Sequence, residues 1–295
     1  MDFFNPGEFW DHHYANFPAG FNRREIMSTL WYHDHRLDFT APNVYAGLTG
    51  FYLLFDERDS NNERDRSRKA FRLPSGEFDV PLILHDVQFD EHGQVVWDFF
   101  NPGPVMPPEF PDPGNSQGTP NEYAPQPQAY TTNGMIGDRF TVNRIIQPYF
   151  EVKRRKYRFR ILNGGPSRLY TLFLHVVPAN GDPYDDEFVV LSTDGNLLER
   201  PLRKSSLSIW VAQRHDVVVD FSKYAPDDKV YLINRLEMRL DAAGPSGRML
   251  EEGDGLMEFR LLPGKVRDPS RIPETMRKLP KIDLSEVRRE RLFVF

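Results

Sequence analysis

Cysteine is absent from the 295 residues. That excludes disulfides, thiolate zinc sites and a cysteine nucleophile within them. No apolar run approaches the roughly 20 residues that a membrane-spanning helix needs, so no membrane contact is expected. A concentrated basic segment is lacking too. Lys and Arg number 37 against 43 Asp and Glu, a net charge of −6, with both signs spread along the chain; no nucleic-acid partner is expected. The opening residues, MDFFNPGEFWDHHY, lack the basic start and apolar stretch of a signal peptide, and no compartment is assigned from them. There is no internal repeat.

Amphipathic helices are also scarce. Pro42–Ala46 can start a short one, with proline in its first turn. Strand patterns are plentiful. Tyr157, Phe159 and Ile161 alternate with Arg158 and Arg160, the period-two pattern of a half-buried strand. Val217, Val219 and Phe221 share one side of another. Leu82 with Leu84, Phe140 with Val142, and Phe259 with Leu261 fit further strands. Many short strands separated by Gly, Pro, Asn and Asp predict an all-β sandwich or barrel.

Three textures divide the chain. Residues 1–56 end in a strand over Gly50–Phe55, and a charged linker, Glu57–Lys69, follows. Residues 73–263 form the longest strand-rich block. Within it, residues 102–127 carry nine prolines, too many for ladder hydrogen bonds, and read as a surface loop. After Pro263 the chain is polar and charged to Arg291, and Leu292–Phe295 read as the start of a strand with no partner present.

The chemically informative segment is Leu30-Trp31-Tyr32-His33-Asp34-His35. Side chains at i and i+2 of a strand share a face, and the strand rise puts the two imidazole bases roughly 6–7 Å apart. That spacing suits two ligands for two neighbouring metal ions, and neutral imidazole is a good copper ligand. The pair alone is weak evidence, because a solvated His-x-His is the commoner case.

The context sharpens it. Leu30–His35, followed by Asn43-Val44-Tyr45-Ala46-Gly47-Leu48-Thr49-Gly50-Phe51-Tyr52-Leu53, closely resembles the second copper motif of the multicopper oxidases. The branch it resembles most contains spore-coat laccase, bilirubin oxidase and phenoxazinone synthase. Leu73-Pro74-Ser75-Gly76-Glu77-Phe78-Asp79-Val80-Pro81-Leu82 resembles that family's entry into its second domain. Tyr157–Asn163, Ser192–Leu198 and Gln213–Phe221 continue the likeness in the family's order, so that nearly the whole chain is covered.

This resemblance implies cupredoxin-like Greek-key β-sandwich domains. Residues 1–56 would be the C-terminal part of a first domain and 57–72 a linker. Residues 73–263 would be a complete second domain, and 264–295 a linker with the first strand of a third. It implies copper as cofactor, in a trinuclear cluster whose eight histidines come from four motifs. Only His33 and His35 match, one for each of the paired type 3 coppers. The first, third and fourth motifs and the type 1 site are not found, so the chain is expected to be a fragment, inactive alone and dependent on the missing first- and third-domain segments. Intact, it would oxidise a phenol, aromatic amine, bilirubin-like pigment or metal ion and reduce O₂ to water. Two departures stand out: Arg144 follows Asn143 where relatives carry Asn-Gly, and the proline-rich stretch 102–127 is long for the family.

The other histidines are expected to be structural. His12 and His13 are adjacent and face opposite ways; His92 sits in a turn; His85, His175 and His215 lie in strands without a second ligand. Asp34 faces away from the pair and can anchor its strand or a neighbouring loop. Trp31 reads as core packing, and Lys153–Lys156 as a solvated edge. The alternatives are a non-catalytic cupredoxin-like scaffold or interaction protein, and a mononuclear histidine metalloenzyme, which would require a further ligand converging on the pair.

Overall fold

The computed structural model describes residues 5, 7–22, 26–97, 130–131, 134–239, 244–278 and 283–294. The proline-rich stretch 102–127 lies outside the described residues. In chain order the strands are β1 (Thr29–His33), β2 (Thr49–Leu53), β3 (Asp79–Val87), β4 (Tyr130–Thr131), β5 (Gly134–Met135), β6 (Arg139–Val142), β7 (Ile145–Ile146), β8 (Tyr149–Val152), β9 (Lys156–Asn163), β10 (Tyr170–Val177), β11 (Tyr184–Asp186), β12 (Phe188–Thr193), β13 (Asn196–Lys204), β14 (Leu207–Ile209), β15 (Arg214–Asp220), β16 (Lys229–Met238) and β17 (Pro245–Leu261). One short helix, α1 (Thr40–Tyr45), connects β1 to β2. No helix among the described residues is long and apolar enough to cross a membrane.

Two sheets make a cupredoxin-like sandwich. One runs β11-β10-β16-β17-β8, with β14 on β10; the other runs β13-β12-β15-β9-β3-β6-β7. Pairing is antiparallel except for β3 with β9 and β17 with β8. A parallel pair cannot be closed by a tight hairpin, so these two mark the crossovers between sheets. The core between the sheets takes alternate residues from each strand. Tyr157, Phe159 and Ile161 of β9 meet Leu172 and Leu174 of β10, Val217 and Val219 of β15, and Phe259 of β17. Rings pack edge-on, as Phe159 does against Phe221 at 6.1 Å and 90°.

The expectation that β9 is half-buried is corrected by its other face. Arg158 and Arg160 are as buried as the core residues. They lie under a cover built by β1 and by residues 56–73. Arg158 donates from Nη1 to both oxygens of Asp59 at 2.9 Å, and from Nη2 to Asp216 Oδ2 at 2.6 Å. Arg160 forks onto Asp79 at 2.8 and 2.7 Å and donates from Nη1 to Ser28 Oγ and Thr29 Oγ1. Burying charge is tolerated only when it is paired and hydrogen-bonded, and here three aspartates surround two arginines. A second apolar cluster beside this network joins Phe71 and Leu73 to Leu191, Val218 and Met276.

The run Lys153–Lys156 is not a solvated edge. Arg155 is buried and ion-paired with Glu63 at 2.5 Å and Asp268 at 3.0 Å. Lys156 reaches Asp268 at 2.7 Å, and Lys153 reaches Glu77 at 3.0 Å. Residues 57–72 are therefore bound tightly to the sandwich. The tight turn Asp194-Gly195, with φ of 49° and 86°, packs against the start of β1, where Ser28 N donates to Gly195 O at 2.8 Å. A Cβ at Gly195 would stand 3.0 Å from the Thr29 carbonyl, so both the positive φ and the close approach call for glycine. Leu292–Val294 form no ladder and are exposed.

Candidate metal-binding site

β1 and β2 form a two-stranded antiparallel sheet in which Tyr32 faces Gly50 and His33 faces Thr49. The ladder stops at His33. His35 lies two residues past it, in a stretch held by backbone bonds: Asp34 N donates to Leu48 O at 3.0 Å, and Leu48 N to Asn43 O at 2.9 Å. α1 fills the connection, and Thr40 Oγ1 ties its start to Arg36 O at 2.9 Å. Proline occupies the third helical position, within the first turn as expected.

The two imidazoles are brought together, with ring centroids 5.4 Å apart. Trp31 shares their face and stacks on His33 at 4.7 Å. It is only partly buried, so its expected role as core packing is corrected to that of a platform for the first imidazole. His33 Nδ1 lies 2.6 Å from the Asp34 carbonyl oxygen. A carbonyl only accepts, so Nδ1 carries the proton and Nε2 keeps its lone pair for a metal. An outer hydrogen bond of this kind is what orients an imidazole that binds a metal.

Asp34 turns away and anchors the loop. Its Oδ2 accepts from Asn43 Nδ2 at 3.0 Å and from Arg36 N at 3.1 Å. The bond from Asn43, then that from Arg36, holds its carboxyl below the ordinary value. At the neighbouring β6–β7 turn, Asn143 and Arg144 both have positive φ, 51° and 71°. A positive φ strains an arginine, and the side chain here has a use: Arg144 Nη1 donates to Ala46 O at 2.5 Å and sits where a Cβ on Gly47 would be.

The other histidines are dispersed. His85 is buried against Tyr45, and burial pushes its imidazole below the ordinary value against the pull of Asp86. His175 pairs with Asp185 at 2.9 Å. His215 Nε2 faces Ser208 O at 3.0 Å, and burial lowers its pKa. His92 is exposed beside Glu91; His12 and His13 are exposed. Among the described residues no group of three His, Cys, Asp or Glu side chains could hold a metal ion. Among the described residues, His33 and His35 thus have no third such side chain converging on them, as a mononuclear site would require.

Residues 111–246 match the family model described as "Multicopper oxidase". The chain is 32% identical to a laccase of Bacillus subtilis (strain 168) over 274 residues, covering 92% of this chain and 44% of that protein. It is also 32% identical to a bilirubin oxidase of Albifimbria verrucaria over 288 residues, 95% of this chain and 40% of the other. Among solved structures, the multicopper oxidase McoA of Aquifex aeolicus superposes with a TM-score of 0.63 at 28% identity, covering 88% of this chain and 46% of that one. The chain thus spans somewhat less than half the length of these relatives.

Proposed function

From the premise that this chain is a relative of the multicopper oxidases along nearly all its length, we propose that His33 and His35 each serve one of two paired type 3 coppers. The intact protein would be a laccase-like oxidase that takes electrons from a small reducing substrate and passes them to O₂. The observation that carries this is the imidazole pair, 5.4 Å apart, with the His33 proton fixed on Nδ1 by the Asp34 carbonyl. Copper held there would supply one-electron chemistry and the reduction of O₂ to water. The chain's own contribution is orientation: Trp31 fixes the plane of the first ring, and Asp34 with Asn43 fixes the loop that presents the second.

In this reading residues 1–56 close a first cupredoxin-like domain, 57–72 link it to a second at 73–263, and 264–295 lead to a third. The remaining copper ligands come from outside these 295 residues, and the chain by itself does not turn over. The second reading, a non-catalytic scaffold, is favoured by the lack, among the described residues, of a third ligand near the pair.

Cu(I) titration of the 295-residue chain, followed by NMR of the histidine ring signals, separates the two. The proposal expects His33 and His35 to shift together before any other histidine. If they shift no earlier than His12 and His13, the ligand assignment falls and the scaffold reading takes its place.

A further inference from the structure

Beside the 57–72 segment, a cleft of about 650 Å³ opens between residues 64–72 and 267–271. Six arginines line it: Arg64, Arg66, Arg68, Arg72, Arg267 and Arg271. Two of these are fixed in place by backbone. Arg72 donates from Nε to Glu63 O at 2.9 Å and from Nη2 to Pro269 O at 2.8 Å. Arg271 donates from Nη2 to Ala70 O at 2.8 Å and from Nε to Phe71 O at 3.3 Å. Neutral carbonyls satisfy these donors and leave the charge uncompensated.

The carboxylates that could neutralise the cleft are engaged elsewhere. Glu63 and Asp268 both point at the buried Arg155, and Asp268 also takes Lys156. Asp65, the one acid in the wall, accepts from Ser67 N and Ser60 Oγ at 2.8 Å each. Arg64, Arg66, Arg68 and Arg267 are exposed and have no ion pair among the described residues. The contrast within the molecule is sharp: Arg155, Arg158, Arg160, Arg168 and Arg277 each meet a carboxylate.

We propose that this cleft binds a small polyphosphorylated anion. Guanidinium forks match phosphate oxygens two at a time; Arg64, Arg66, Arg68 and Arg267 present theirs to the cleft, Arg72 and Arg271 add charge, and six guanidiniums against one carboxylate suit a ligand of several negative charges. The volume lies within the range of small-molecule sites. No aromatic side chain lines the cleft, so there is no platform for stacked bases, which disfavours single-stranded nucleic acid.

The test is calorimetric titration of the 295-residue chain with inorganic tripolyphosphate at physiological salt. One saturable site per chain is expected. Arg66→Gln with Arg68→Gln should weaken it by about tenfold or more. A control with the same charge change outside the cleft, Arg203→Gln with Lys204→Gln, should change it by less than about twofold. Circular dichroism checks the fold of each variant; should the double variant be disrupted, Arg267→Gln carries the same expectation. Absence of saturable binding, or equal weakening by the control pair, overturns the proposal. So does a single-stranded oligonucleotide that binds through Arg66 and Arg68 when tripolyphosphate does not.

Discussion

Arg158→Met is the most informative test of how the first 73 residues hold to the sandwich. Arg158 is about 1% exposed and donates to Asp59, Asp216 and Ser28. Methionine fills most of its volume and removes its charge, leaving Asp59 and Asp216 buried with only Arg160 close to the latter, at 3.5 Å. Removing one partner of a buried ion pair costs about 3–5 kcal/mol, and full burial leaves no solvent screening to reduce that. For a chain of this size the melting temperature should fall by on the order of 10 °C. The pH dependence has a definite sign. In the parent, burial alone would raise the Asp216 pKa, but Arg158 and then Arg160 hold it below the ordinary value; its stabilisation is present above the unfolded carboxylate value and is lost as pH falls through the folded one. In the variant Asp216 keeps its burial but loses the Arg158 charge, so acidification relieves it and the gap to the parent narrows from pH 7 toward about pH 5. Urea unfolding at several pH values measures both. A loss under about 1 kcal/mol, or a gap independent of pH, would refute the claim that the network is buried and paired.

Two further outcomes follow from named contacts. Arg144→Gly should remove backbone strain of about 1 kcal/mol at a positive φ while deleting the bond to Ala46 O. Net stability should therefore change little, while amide exchange at residues 46–48 speeds up. Copper added to the 295-residue chain should give no intense thiolate-to-copper absorption band in the visible, because there is no cysteine to produce one; the appearance of such a band would contradict the ligand inventory.

What could be read before the structure was set by how local the cause is. The apolar face of β9 was legible, because Tyr157, Phe159 and Ile161 recur every second residue and all enter one core. Its arginine face was not. Alternating arginines read as solvent-exposed, and the partners that bury them, Asp59, Asp79 and Asp216, are far apart in the chain. The same reason hides the pairing of Arg155 with Glu63 and Asp268, and the gathering of six arginines into one cleft from two distant segments. At the histidine pair, spacing and resemblance gave the residues. Spacing could not show that β1 ends at His33, nor that Trp31 stacks on that ring. The departure from Asn-Gly at Asn143-Arg144 was legible in the sequence; the long reach of Arg144 to Ala46 was not.

His33 and His35 are proposed to hold one copper each of a single pair. The most direct measurement is made in a chain extended by the remaining copper motifs, comparing His33→Ala and His35→Ala with the parent. Copper content is counted, and reduction by a phenolic donor and reoxidation by O₂ are followed separately by stopped flow. Each variant should lose copper and reoxidise far more slowly, while the donor still reduces the type 1 centre at close to the parent's rate, since this strand lends that centre no ligand. Variants that keep the parent's copper content and reoxidise at its rate would contradict the assignment and leave the motif as a mark of fold alone.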